Sequence, residues 1–98
     1  MAFIDEYDFE LLKNEAEVLV IKELGKQLAE QSDDVCQCND CVVDMAACAL
    51  NGVKPLYRFS LLGTLYASQA MNEESYAQSI QNAVAQSIQK VKKNPSHD

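Results

Sequence analysis

Between Cys36 and Arg58 the chain reads CQCNDCVVDMAACALNGVKPLYR, and three of its four cysteines, Cys36, Cys38 and Cys41, fall within six residues. Thiolates bind zinc tetrahedrally at about 2.3 Å, and short Cys spacings let one flexible loop supply several ligands. Cys36, Cys38 and Cys41 are the candidate metal ligands. The fourth ligand is open: Cys48 lies seven residues past Cys41, about 10.5 Å further along a helix axis at 1.5 Å per residue. If the helix begins before Cys41, the two cannot share a metal, which leaves Asp40, His97 or water. Cys48, between Ala47 and Ala49, reads as a small buried hydrophobe. A redox reading of the CxC pair is disfavoured, because Asp33, Asp34 and Asp40 oppose a reactive thiolate nearby.

The pattern Cys36, Cys38, Cys41, then Asp44, Ala46, Leu50-Asn51, Pro55 and Tyr57 resembles the signature of the late-competence ComFB family, small bacterial all-helical homodimers. The resemblance covers the middle third of the chain well and the helix before it more loosely; beyond Phe59 it is helical character only. It implies two properties. Some members carry zinc on the cysteines, with a fourth thiolate from the carboxy-terminal part, where this sequence has none after Cys48. Members have also been implicated as receptors for cyclic dinucleotide messengers.

A cyclic dinucleotide presents two phosphates and two purines. Its receptor needs cations, a flat stacking group, and an acceptor or amide for base edges. Arg58 or Lys54, Tyr57, and Asp44 or Asn51 supply those types, with Pro55 between them. The bland account of the same residues is that Asn51-Gly52 only ends a helix, Pro55 only starts the next segment, Tyr57 is core, and Asp44 pairs with a neighbouring cation.

Four helices are expected to position these groups. Leu12, Ala16, Leu19, Val20, Leu24 and Leu28 recur at spacings of three and four, predicting a helix from about Asp8 to Glu30 with Asp5 or Asp8 as cap. Gln31 to Asn39 is polar and reads as a loop. A second helix, capped by Asn39 or Asp40, has the expected buried stripe Val42, Val43, Ala46, Ala49 and Leu50. It ends at Asn51-Gly52, suited to a left-handed terminus, and Pro55 forbids continuation. Phe59 to Ala70, with Leu61, Leu62, Leu65 and Tyr66, is apolar on most sides, a core helix or a subunit interface. Asn72-Glu73-Glu74 starts the last helix, with the stripe Tyr76, Ile80, Val84, Ile88 and Val91 and lysines in its final turn. No strand-like alternation appears.

The expectation is one all-α domain over 1–98, with 1–7 and 94–98 frayed, forming a two-fold homodimer because the first, third and fourth helices carry more apolar stripe than one small monomer covers. Net charge is −7, with ten of fifteen acids in residues 1–34, which argues against duplex nucleic acid as a partner. No segment approaches the roughly 20 apolar residues of a membrane span, and the amino terminus is acidic, so the chain is expected to be cytoplasmic and not membrane-inserted. An enzyme is not expected: the only His is His97, in the tail, and no Gly-rich phosphate loop is present. The function expected is a dimeric receptor for a cyclic purine dinucleotide, cyclic di-GMP or cyclic di-AMP, signalling to an unidentified protein partner. The alternative is a ligand-free dimeric adaptor of the competence and DNA-uptake machinery, stabilised by zinc.

Overall fold

Asn14 decides where the first helix begins. In the computed structural model its side chain accepts a hydrogen bond from the Ala16 backbone N–H at 3.2 Å, and α1 runs Glu15–Leu28. The helix expected from about Asp8 therefore starts later, and neither Asp5 nor Asp8 caps it. Residues before it form two short 3₁₀ turns, Phe3–Asp5 and Phe9–Leu11. The structure describes all residues except 1, 33, 61, 64, 66, 67, 70, 71 and 96–98.

The late start has a long-range cause. Lys13–Asn14 (β1) pairs antiparallel with Tyr57–Arg58 (β2), Lys13 opposite Arg58 and Asn14 opposite Tyr57. Immediately after β1 the Glu15 N–H donates to the Leu56 carbonyl at 2.8 Å. Local periodicity carries no trace of a partner more than forty residues away, so the chain is mostly helical with a minimal two-stranded sheet, not purely all-α.

α2 spans Asn39–Asn51 and α3 spans Glu74–Lys93. The buried positions of the first two helices repeat every four residues: Ala16, Val20, Leu24 and Leu28 on α1, Cys41, Met45 and Ala49 on α2. α3 buries Tyr76, Ile80, Val84, Ile88 and Val91, the stripe expected of it, plus Ser87. The Ser87 hydroxyl satisfies itself by donating to the Ala83 carbonyl at 2.7 Å. Side chains three and four apart share a helix face, so these stripes meet in one core, closed at one end by Val53 and Leu56.

The α2 stripe is rotated from its expected position. Of the expected residues Ala49 is buried, but Val43 is 57% exposed, Val42, Ala46 and Leu50 are only partly buried, and Cys41 and Met45 complete the core face. Nearly every residue from Cys41 to Leu50 is apolar, so the pattern alone does not choose a face; packing against α1 and α3 does. Gly52 also differs from expectation: its φ is −102°, and no described residue has positive φ.

Of the helix expected over 59–70, Leu62, Gly63, Leu65, Ser68 and Gln69 are helical, with Leu62 and Leu65 78% and 58% exposed. The readings on Leu61, Tyr66 and Ala70 lie outside the described residues. The radius of gyration is 15.6 Å with extents of 45 × 39 × 17 Å, against about 13 Å for a compact chain of 100 residues. The fold is a thin slab with apolar surface on its outside. No helix among the described residues is long and apolar enough to cross a membrane.

Candidate functional site

The segment from Val53 to Arg58 leaves α2 and is pinned on both sides. Val53 and Leu56 are buried, while Lys54 and Pro55 between them are exposed. The Tyr76 hydroxyl on α3 donates to the Lys54 carbonyl at 2.7 Å. The Leu56 N–H donates to Asn14 Oδ1 at 2.8 Å, and its carbonyl accepts from Glu15. Asn14 thus caps α1 and clamps the segment with one oxygen. Each hydrogen bond of this kind contributes about 1 kcal/mol net, and together they hold the polypeptide in place with Lys54, Pro55 and Tyr57 exposed.

Tyr57 is 56% exposed, and Asn51, Lys54 and Pro55 are exposed with it. These residues and Arg58 lie on one continuous stretch. Asp44, also exposed, sits two helical turns before Asn51, about 10.5 Å along α2. Arg58 is half-buried and ion-paired through Nε with Glu15 Oε1. A guanidinium has five N–H donors, so this contact occupies one edge of it.

Sequence reasoning missed three residues of this neighbourhood: Lys13, Asn14 and Glu15. Asn14 followed three residues later by Glu17 is a helix-start signature, which would have put the cap where it is. The pairing of Lys13 with Arg58 and of Glu15 with Arg58 has no local signal.

A second constellation is the cysteine loop. The sulfurs of Cys36, Cys38 and Cys41 all lie within 4.8 Å of one another. In a tetrahedral zinc site with 2.3 Å bonds they would stand about 3.8 Å apart, a small contraction. Cys38, not Asn39 or Asp40, is the N-cap of α2, its Sγ accepting from the Cys41 N–H at 3.5 Å. Cys41 is buried, Cys36 half-buried and Cys38 exposed, so the loop offers a donor set from core to solvent. These residues fit three of zinc's four positions.

Cys48 is elsewhere, half-buried on the wall of a separate cavity of about 250 Å³ with Gly52, Ser79, Ala83 and Lys90. Asp40 is exposed and does not join the trio among the described residues, and His97 lies outside them. Before the cysteines, Asp34 pairs with Lys92 at 2.8 Å and accepts from the Ser32 hydroxyl. The Lys92 ammonium and then the Ser32 hydroxyl hold the Asp34 carboxyl below its ordinary range. That pair ties the loop to the last turn of α3.

The outer faces of α1 and α2 form a groove of about 520 Å³, lined by Ile21, Leu24, Gly25, Leu28, Val42, Val43, Ala46 and Leu50 among others. A Cβ on Gly25 would meet nothing within 4 Å. Among the described residues nothing requires glycine at that position in a helix, where it costs about 1 kcal/mol relative to Ala.

Residues 13–95 match the family described as late competence development protein ComFB. The fold is similar to that of the late competence protein ComFB from Bacillus subtilis, with a TM-score of 0.69 at 23% identity, covering 87% of this chain and 92% of that one. At that identity the likeness speaks for the fold alone. No curated protein sequence matches the chain. The family match takes in nearly the whole chain, the cysteine loop and the pinned segment together, and the chain belongs to the ComFB family.

Proposed function

We propose that this chain is a cytoplasmic, homodimeric receptor for a cyclic purine dinucleotide, cyclic di-GMP first and cyclic di-AMP second, and that it passes the bound state to a protein partner. The observation that carries the reading is the pinned segment: Lys54, Tyr57 and Arg58 stand on a backbone held at Lys54 and Leu56 by hydrogen bonds of 2.7 and 2.8 Å. Such preorganisation lowers the ordering cost of binding. Tyr57 offers a ring for purine stacking on one side of the β1–β2 ribbon and Arg58 a cation to phosphate on the other, with Lys54 as a further cation and Asn51 or Asp44 as partners to base edges. The ion pair with Glu15 orients Arg58 and leaves the remaining guanidinium donors for the ligand.

The dimer in this proposal forms on the groove of α1 and α2. The expectation drew the surplus apolar surface partly from the last helix, but that stripe is buried within the chain. Exposed apolar side chains remain on α1, at Val18 and Ile21, and at Leu62 and Leu65, and α2 adds Val43; of these, Ile21 and Val43, each 57% exposed, flank the groove beside open Gly25. A two-fold ligand suits a two-fold dimer, one copy of the segment contributed by each subunit.

Zinc on Cys36, Cys38 and Cys41 belongs to the proposal as a structural cofactor; when bound, it would supply folding free energy. The chain's own contribution is to hold the loop: the Cys38 cap and buried Cys41 fix it to α2. A second reading, a dimeric adaptor of the competence machinery with no small ligand, is favoured by that same thiol cluster and groove, neither of which needs a nucleotide. Thermal melting separates the two. A rise of several degrees with cyclic di-GMP supports the receptor, and no shift with either cyclic dinucleotide supports the adaptor.

A further inference from the structure

Lys13 and Arg58 stand directly opposite each other across the two-stranded ladder. Residues so paired project to the same face with Cβ atoms about 4.5–5.5 Å apart, and like charges in that arrangement are destabilising. Folding alone gives no reason for it. Glu15, ion-paired with Arg58, offsets one of the two charges. Lys13 is exposed and makes no ion pair among the described residues. The result is a local excess of one positive charge on a chain of net charge −7, within a region holding ten acids in its first 34 residues.

We infer that Lys13 is a second phosphate-binding cation, set beside Arg58 by the ladder so that the two grip one phosphodiester of the cyclic dinucleotide; this rests on the receptor reading above. A phosphodiester carries one negative charge on two non-bridging oxygens. It matches both the net charge of Lys13, Arg58 and Glu15 and the two separate donor groups. Lysine acts as a mobile point charge, while the guanidinium gives directional bonds. The ligand removes the repulsion that the ladder imposes, so the arrangement that weakens the free protein strengthens the complex. Asn14 and Tyr57, the other pair of the ladder, face the opposite side. The residues sequence reasoning gave to the phosphate, Lys54 and Arg58, are thereby joined by one that is distant in sequence and adjacent in the fold.

The test is calorimetric titration of the full chain with cyclic di-GMP, using wild type, Lys13→Gln, Lys13→Arg, Arg58→Ala and the Lys13→Gln/Arg58→Ala double variant, with melting of each free protein. Lys13→Gln is expected to weaken binding about 10-fold, the low end for a lost charge-assisted bond, and Lys13→Arg to stay within about 3-fold of wild type. The double variant should lose less than the product of the single losses, because both cations act on one phosphate. Free Lys13→Gln should melt at or above the wild-type temperature, since a like-charge pairing is gone. Wild-type binding left unchanged by Lys13→Gln would overturn this inference alone. A Lys13→Gln protein that melts lower and is not rescued by Lys13→Arg would overturn it too, as a structural role. No heat from wild type would overturn the receptor reading and this inference with it.

Discussion

The Tyr76 hydroxyl on α3 donates a 2.7 Å hydrogen bond to the backbone carbonyl of Lys54, joining the core of the fold to the middle of the candidate site. Tyr76 is 8% exposed, and burial raises its hydroxyl above the ordinary value of 10.0. The protonated donor is the form the fold favours. Tyr76→Phe should destabilise the protein by about 1 kcal/mol, the net worth of one hydrogen bond, and should weaken ligand binding through a looser segment. Because the folded value is raised, the stabilisation is complete below pH 10.0 and falls as pH rises through the folded value. Urea denaturation of wild type and Tyr76→Phe at pH 7 and above 10 checks both points: the gap should narrow in alkali.

The Asp34 and Lys92 pair ties the cysteine loop to the end of α3. The Asp34 carboxyl is held below 3.8 by Lys92 first and Ser32 second. Its contribution is therefore present above pH 3.8 and is lost as pH falls through the folded value. Asp34→Asn should melt lower than wild type at pH 7 and indistinguishably from it in strong acid. Added salt should also shrink the difference, as expected of an exposed pair.

Zinc should be found near one per chain in protein purified without chelator, because three sulfurs already lie within 4.8 Å of one another. Cys38→Ser should reduce the metal content severalfold and lower the melting temperature. Cys48→Ser should leave the metal unchanged, since Cys48 lines a different cavity. Elemental analysis of the two variants checks the assignment; metal that is substoichiometric and indifferent to Cys38→Ser would return the trio to a purely structural role.

The α1 and α2 groove should hold a second copy. Val43→Asp places a charge on a residue 57% exposed in the single chain, so it should leave the monomer fold intact by circular dichroism while shifting light scattering from dimer to monomer at micromolar concentration. Gly25→Leu should do the same by filling open space, and should raise helix stability in the monomer.

What the sequence made legible followed from the strength of each local signal. α3 is long and alternates apolar and polar faces cleanly, so its buried stripe could be read residue by residue. The cysteine trio was legible from spacing alone, as was the break at Pro55. α2 was legible as a helix but not in its orientation, because Cys41, Val42, Val43, Met45 and Ala46 are all apolar and only neighbouring helices choose among them. The ladder of Lys13–Asn14 with Tyr57–Arg58 was not legible at all, being two residues long and closed across the whole first half of the chain. The setting of Arg58 went unread for the same reason: its carboxylate partner, Glu15, is 43 residues away in sequence.

Arg58 is the only arginine of the chain, and the receptor account depends on it most. Calorimetric titration of wild type and Arg58→Ala with cyclic di-GMP and cyclic di-AMP is the most direct test. The account predicts saturable heat from wild type with at least one of the two ligands. It predicts a loss of about 1.5–3 kcal/mol in Arg58→Ala, the worth of a hydrogen bond to a charged group, with only partial recovery in Arg58→Lys. No heat from wild type with either ligand, or unchanged affinity in a fully folded Arg58→Ala, would contradict it.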